Sequence, residues 1–275
     1  MNRSPASVAL FPASPPPTGP RRRHASHGGH PGGGLVAGVV GVFGELLVTV
    51  GVLLGLFVVW QLWWTDVEGA RTQQQIVADM GWEEPAATDN GPQTAVATEH
   101  RDAPPVLDEP AAIGETFAQM YVPRWGSDYL KPIAEGTDKA TVLDTIGIGH
   151  YVGTEMPGAL GNFATAAHRT TYGKPYNKIH ELKKQDALVV RTEDTWYVYK
   201  VTDSKIVLPQ NIEVISTVPG VKPGEPMPEP TQRFITLTTC HPMFSAAQRY
   251  IVHGELDYWA PVSEGTPKEL LEEQG

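Results

Sequence analysis

Residues 233–256 read RFITLTTCHPMFSAAQRYIVHGEL. The first eight alternate, as a strand with one buried face does. Phe234, Thr236, Thr238 and Cys240 fall on one side; Arg233, Ile235, Leu237 and Thr239 fall on the other. His241-Pro242 should end the strand, because proline cannot donate to a ladder. A second strand-like run opens at Arg249. With CHPMFSAAQ as the connecting loop, the chain returns Arg249 close to Cys240 and sets a permanent cation beside a thiol. Cys240 is the only cysteine in the sequence, so a disulfide within the chain is impossible. A lone thiol is either a small buried hydrophobe or a reactive group. A place at a strand mouth favours the second.

Working outward, short runs with period-two alternation or β-branched content recur. They are AQMYVPRW (118–125), ALVVRTED (187–194) and TWYVYKVTDSKIVL (195–208). Glycine and proline punctuate them, the pattern of an all-β sandwich or barrel. Short helices are expected at Asp138–Thr145, around Lys178–Leu182, and in the terminal PKELLEEQ. A thiol chemistry also needs a group that exchanges protons. The run FATAAH ends in His168 at another strand end, ahead of the polar RTTYGK. His150, His180, His241 and His253 compete for that role. The side chain of His241, adjacent to Cys240 on a strand, points the other way.

Towards the N-terminus the character changes. Residues 1–34 are rich in Pro, Gly and Ser, hold four arginines and no acidic residue, and are too poor in apolar surface to fold. Residues 35–64 form a hydrophobic segment. From Leu46 to Trp64 it runs 19 residues without a charge, long enough to cross most of a hydrocarbon core about 30 Å thick. Trp60, Trp63 and Trp64 gather at its far end, as interfacial aromatics do. Arg21, Arg22 and Arg23 precede the span, which predicts a cytoplasmic N-terminus and an extracellular remainder. The run is too long, and its Trp-Gln-Leu-Trp-Trp end too bulky, for a cleaved signal peptide. Residues 65–110 hold ten acidic and two basic residues with five prolines. The first part, to about Met80, can continue the helix; the rest reads as an extended acidic linker. Residues 111–275 are the expected folded domain. The net charge of −10 gives no electrostatic case for nucleic acid. No phosphate-binding glycine loop or metal-ligand cluster stands in the sequence, so neither cofactor nor metal is expected.

The combination T-L-T-T-C, an arginine nine residues later, and an upstream N-F-x-x-A-x-H-R resembles the sortase family. The long stretches GHYVGTEMPGALGNFATAAHRTTYGKPY and ITLTTCHPMFSAAQRYIVHGEL are most like the class E sortases of high-GC Gram-positive bacteria. The likeness covers about residues 111–260 and extends to the QLWWTDV exit of the anchor. It implies a closed eight-stranded β-barrel and a catalytic triad of His168, Cys240 and Arg249. Two departures stand out: Ala-Ala precedes His168 where many relatives have Ala-Gly, and a Pro-rich insertion lies near Gly220–Pro230. The corresponding loop lines the substrate groove in the family.

The resemblance further implies a cysteine transpeptidase. It would cleave the Thr-Gly bond of LAxTG- or LPxTG-like sorting signals on exported proteins through a thioacyl intermediate. The protein would then pass to the amine of a peptidoglycan precursor. Thr238, Thr239 and Tyr121 are candidate substrate-binding residues, Thr238 and Thr239 as neighbours of the nucleophile and Tyr121 as a groove tyrosine. Strand propensity for the threonines and packing for the tyrosine are the plainer alternatives. Three other functions stay open: a pilin-polymerising sortase, a membrane-tethered extracellular binding module without catalysis, and a plain cysteine protease.

Overall fold

The computed structural model describes residues 34–82 and 95–271. The expected unstructured N-terminus, the middle of the acidic linker and the last four residues lie outside them. Helix α1 runs Gly34–Asp79. From Val39 to Trp64 its large apolar side chains are exposed, and it is long and apolar enough to cross a membrane. Residues up to Leu54 form one unit; the rest of α1 belongs with the folded domain that follows.

That domain is one closed barrel of eight strands. They are β1 (Thr116–Tyr121), β2 (Leu130–Glu135), β3 (Ile148–His150), β4 (Gly161–Ala167), β5 (Ala187–Arg191), β6 (Thr195–Val207), β7 (Arg233–His241) and β8 (Gln248–Pro261). Around the barrel the order is β1-β2-β3-β4-β7-β8-β6-β5, and β5 closes on β1. All neighbours are antiparallel except β2 with β3 and β4 with β7. The β4–β7 pairing matters most for the site. Two parallel neighbours end at the same rim, so residues at both C-terminal ends meet there.

The alternation read in RFITLTTC is present. Ile235 and Leu237 are fully buried in the barrel interior with Phe163, Ile133, Ile148, Leu188, Tyr197 and Val252. Truncating either to alanine should cost about 2–5 kcal/mol. Thr236 and Thr238 face the other way and are buried too, Thr236 against the β6–β7 connection at Val214 and Thr238 against Tyr151. A 3₁₀ turn at Ile212–Ile215 is held there by Asn162, whose Nδ2 donates to Ser216 O at 3.0 Å. The Pro-rich stretch beyond it, Val221–Glu229, lies almost entirely exposed.

The short helices fall where expected: a π-helical turn at Lys139–Leu143, a 3₁₀ turn at Ile179–Glu181 and α2 at Lys268–Leu271. Two strands were not foreseen. LKPIAE of β2 carries a proline, and IGH of β3 has only three residues. Residues 95–102 of the segment read from composition as linker lie against the barrel. Ala97 is buried beside Trp196 and Tyr258, and the ring of His100 stacks on Trp259 at 4.7 Å. Acidic composition predicted self-repulsion, but local ion pairs neutralise it: Glu99 with Lys268 and Arg101, and Arg101 with Asp257.

Candidate active site

Cys240 and Arg249 face each other across the β7–β8 ladder as a register pair. On the other side of β7, Ala166 of β4 pairs with Thr238. Two residues further along that register, His168 comes level with Cys240 as it leaves β4. Three neighbouring strands therefore deliver the histidine, the thiol and the guanidinium to one rim. All three side chains are partly exposed.

Each is held differently. His168 Nε2 lies 2.6 Å from Asp144 Oδ1, and both side chains are 17% exposed. That contact fixes the ring and assigns a proton to Nε2, leaving Nδ1 without a partner among the described residues. Asp144 also pairs with Lys139 at 2.6 Å. The ring of Tyr172 lies over His168, centroids 5.2 Å apart and planes 31° from parallel. Arg249 Nη1 donates to Ala246 O and Gln248 O, both at 2.9 Å. These bonds anchor the guanidinium to its own loop and leave Nη2 and Nε unpartnered among the described residues. No carboxylate among the described residues pairs with it.

The two threonines beside Cys240 have structural occupations. Thr239 Oγ1 donates to Ala167 O at 2.7 Å, clamping β7 to the last residue before His168. Thr238 Oγ1 donates to Thr165 O at 3.1 Å and lies 3.0 Å from Tyr151 Oη. Both are nearly fully buried. Their hydroxyls join strands and are not presented to the rim. Tyr121 is not brought to the site. It ends β1, four strands from β7 in either direction around the ring. There its ring packs edge-on against Trp196 at 5.4 Å, and its hydroxyl donates to Gln119.

The rival histidines are placed elsewhere or differently engaged. His150 is fully buried, 2.7 Å from Glu135. His253 sits in mid-ladder opposite Thr236, and burial pulls its pKa down to about 4. His180 lies exposed in a 3₁₀ turn. His241, next to the thiol, accepts from Arg169 Nη1 at 2.7 Å on its Nδ1. Burial and the Arg169 charge both push its pKa down, so it stays neutral.

Arg169, Asp144 and Tyr172 were not singled out from sequence. Arg169 is the arginine of the quoted H-R pair. It is 6% exposed, lies 3.5 Å from Cys240 O, and packs its guanidinium 5.5 Å from the ring centre of Tyr250. It ties the backbone at Cys240 to the segment after His168. Asp144 lay in the segment expected to be helical, and nothing local marked it as the partner of a histidine 24 residues on.

Residues 120–257 match the Sortase domain family. The chain belongs to the sortase family. Its members are cysteine transpeptidases, and the rim described above has the residue types of such a site. Among curated proteins, sortase SrtE1 of Streptomyces coelicolor is 36% identical over 253 residues, covering 88% of this chain and 63% of that protein. This sortase thus matches a little under two thirds of that relative's length. Sortase SrtE2 of the same organism is 36% identical over 229 residues, covering 82% of this chain and 84% of its own. Among solved structures, the SrtA sortase of Actinomyces oris superposes with a TM-score of 0.59 and 42% identity, covering 65% of this chain and 99% of that one. Sortase E1 of S. coelicolor, solved with a tripeptide in its active site, gives 0.51 and 39%, covering 57% of this chain and 97% of that one. The likeness to class E sortases read from the motifs is therefore matched by whole-chain similarity. Groups of three or more His, Cys, Asp or Glu able to hold a metal ion are absent among the described residues.

Proposed function

We propose that this sortase cleaves a Thr-Gly bond in an LAxTG- or LPxTG-like sorting signal and transfers the new C-terminus to an amine of a peptidoglycan precursor. The observation that carries the reading is the Cys240–Arg249 register pair with His168 level beside it. In the first step the Cys240 sulfur attacks the threonine carbonyl carbon. The Cys240 thiol gives its proton to His168 as the S–C bond forms, the C–N bond breaks, and His168 passes that proton to the departing glycine amine. Arg249, through its unpartnered nitrogens, donates to the oxyanion of the tetrahedral intermediate. In the second step the acceptor amine attacks the thioester carbon. The C–N bond forms, sulfur leaves, and the proton from the amine returns to His168.

The long stretch of α1 that is apolar all round supports a membrane anchor, and the arginines before it support a cytoplasmic N-terminus with the barrel outside. Lipid-linked precursor and the apolar tails of exported substrates would then share its bilayer. The test uses the full chain in detergent micelles with LAxTG and LPxTG peptides, with and without an amine acceptor. A mass increment of the thioacylated peptide on the wild-type chain, absent in Cys240→Ala, is expected. Cleavage by Cys240→Ala would end this reading. Turnover only with a protein lysine as acceptor would make it a pilin polymerase instead.

A further inference from the structure

The extramembrane end of α1 touches the barrel at one place of consequence, the segment just after His168. Gly69 meets the backbone of Tyr172 and Gly173 so closely that a Cβ built on it would lie 2.5 Å from Tyr172 C and 2.7 Å from Gly173 N. One helical turn on, Gln73 is 1% exposed. Its Nε2 donates to Tyr172 O at 2.9 Å, and its Oε1 accepts from Lys131 Nζ at 2.8 Å. A turn before Gly69, Asp66 pairs with Lys174 at 2.7 Å. Successive turns on one face of the helix thus hold three successive residues of one loop.

The loop needs holding. Tyr172, Gly173 and Lys174 have φ of 55°, 72° and 36°. Two of the three are not glycine, and a bulky residue in the left-handed region persists only when its surroundings over-determine it. The helix supplies that constraint, and Tyr172 carries it inward, since its ring lies on His168. Lys139 completes the arrangement. Its ammonium lies 5.1 Å from the Tyr172 ring centre and pairs with Asp144, the partner of His168. A hollow beside this contact is walled by Glu68 and Gly69 on the helix and by Asp144 and Tyr172 on the barrel.

We infer that the helix emerging from the membrane is a working part of the active site: Gly69 and Gln73 position Tyr172, and Tyr172 positions the His168 imidazole. The inference rests on His168 being the proton-transfer group of the proposed reaction. Gly69 and Gln73 are positioning residues, since they act through Tyr172 and touch no reacting atom. The close approach explains why a glycine stands in mid-helix, where it weakens the helix relative to alanine. A barrel cut free of residues 64–82 would keep Cys240, His168 and Arg249 and lose the orientation of the histidine.

The experiment uses the full chain in detergent micelles and compares the wild type with Gly69→Val, Gln73→Ala, Tyr172→Phe and Tyr172→Ala. Two readouts are taken: kcat and KM for sorting peptide, and the His168 ring resonances, assigned by their loss in His168→Gln. Gly69→Val and Tyr172→Ala are expected to lower kcat about 10- to 100-fold, as a misplaced catalytic group does, with KM within about twofold. The His168 resonances should lose the upfield shift that the Tyr172 ring imposes. Tyr172→Phe, which keeps the ring, should retain both the shift and nearly all of kcat. A His168 signal and kcat unchanged in Gly69→Val, or equal losses in Tyr172→Phe and Tyr172→Ala, would overturn the inference. If Gly69→Val does not fold, the Tyr172 pair and Gln73→Ala decide alone. A wild-type chain inactive on every peptide, whose His168 resonances still move in Tyr172→Ala and Gln73→Ala but not in Tyr172→Phe, would sink the proposed reaction and leave the positioning intact.

Discussion

On one face of the ladder between β7 and β8, two polar cross-strand pairs stand four residues apart: Thr236 with His253, and Cys240 with Arg249. Strands, spacing and pairing are the same; the cover differs. Thr236 is fully buried and His253 is 6% exposed. Thr236 Oγ1 donates to Asn162 Oδ1 at 2.7 Å and, having spent its proton there, accepts from His253 Nδ1 at 2.9 Å. That leaves His253 Nε2 buried without a partner. Such a nitrogen tolerates a lone pair better than a proton, so the imidazole stays neutral. At the rim the Ile212–Ile215 turn no longer reaches, and Cys240 and Arg249 stay partly open. The lesson is that a strand pair presents chemistry only where its cover stops. Polar residues beneath the cover serve the fold.

The contrast can be broken at either end. The largest effect belongs to the open end. His168→Ala should lower kcat by about 10²–10⁴, the usual contribution of a general acid–base group. Arg249→Ala should lower it by about 10²–10³, as loss of an oxyanion donor does. Both should unfold within about 0.5 kcal/mol of the wild type, since partly exposed groups at a rim support little of the fold. Steady-state kinetics paired with urea unfolding reads both quantities, and a large stability loss in either variant would erase the distinction.

Next comes the pH response of the closed end. Burial is the main cause of the low pKa of His253, with the Lys205 charge adding to it and Asp203 opposing it. The unfolded chain titrates near 6.5 and the native one near 4. Stability is therefore fully present above pH 6.5 and is lost as pH falls towards 4, because only the unfolded state takes up the proton. Between pH 7.5 and 5 the loss should be about 2 kcal/mol from this group. His253→Gln should flatten that part of the urea-unfolding profile; an unchanged slope would show that the group is not enclosed. Smaller again is Thr236→Val. It strips Asn162 and His253 of a partner and should cost about 1–2 kcal/mol, with kcat/KM within about threefold of wild type. A hundredfold activity loss there would make the two ends one site.

How much of this the sequence displays depends on how local the cause is. The two faces of RFITLTTC, the strand stop at His241-Pro242 and the return at Arg249 are local, and they place the thiol and guanidinium together. His168 needed the family resemblance, because its meeting with Cys240 depends on a parallel pairing of strands about 70 residues apart. The position of Tyr121, away from Cys240, escapes sequence reading for the same reason. Strand order around a barrel is non-local, and the order here turns β1 to the opposite wall. Thr238 and Thr239 stand next to Cys240, yet adjacency does not reveal that each hydroxyl already bonds a carbonyl of β4. Asp144 and the grip of α1 on Tyr172 escape sequence reading because each joins segments that no periodicity connects.

The closure of the barrel has a consequence for how the site tolerates change. In an open sheet a strand can slip by one residue and turn every side chain to the opposite face. Here β7 is zipped to β4 on one side and β8 on the other, and the ring returns through β5 to β1. A slip would have to propagate through all eight seams. The thiol's outward placement is thus a property of the whole circuit. The exposed Pro-rich stretch between β6 and β7 lies outside those seams, so a change of its length should leave the facing of Cys240 unchanged.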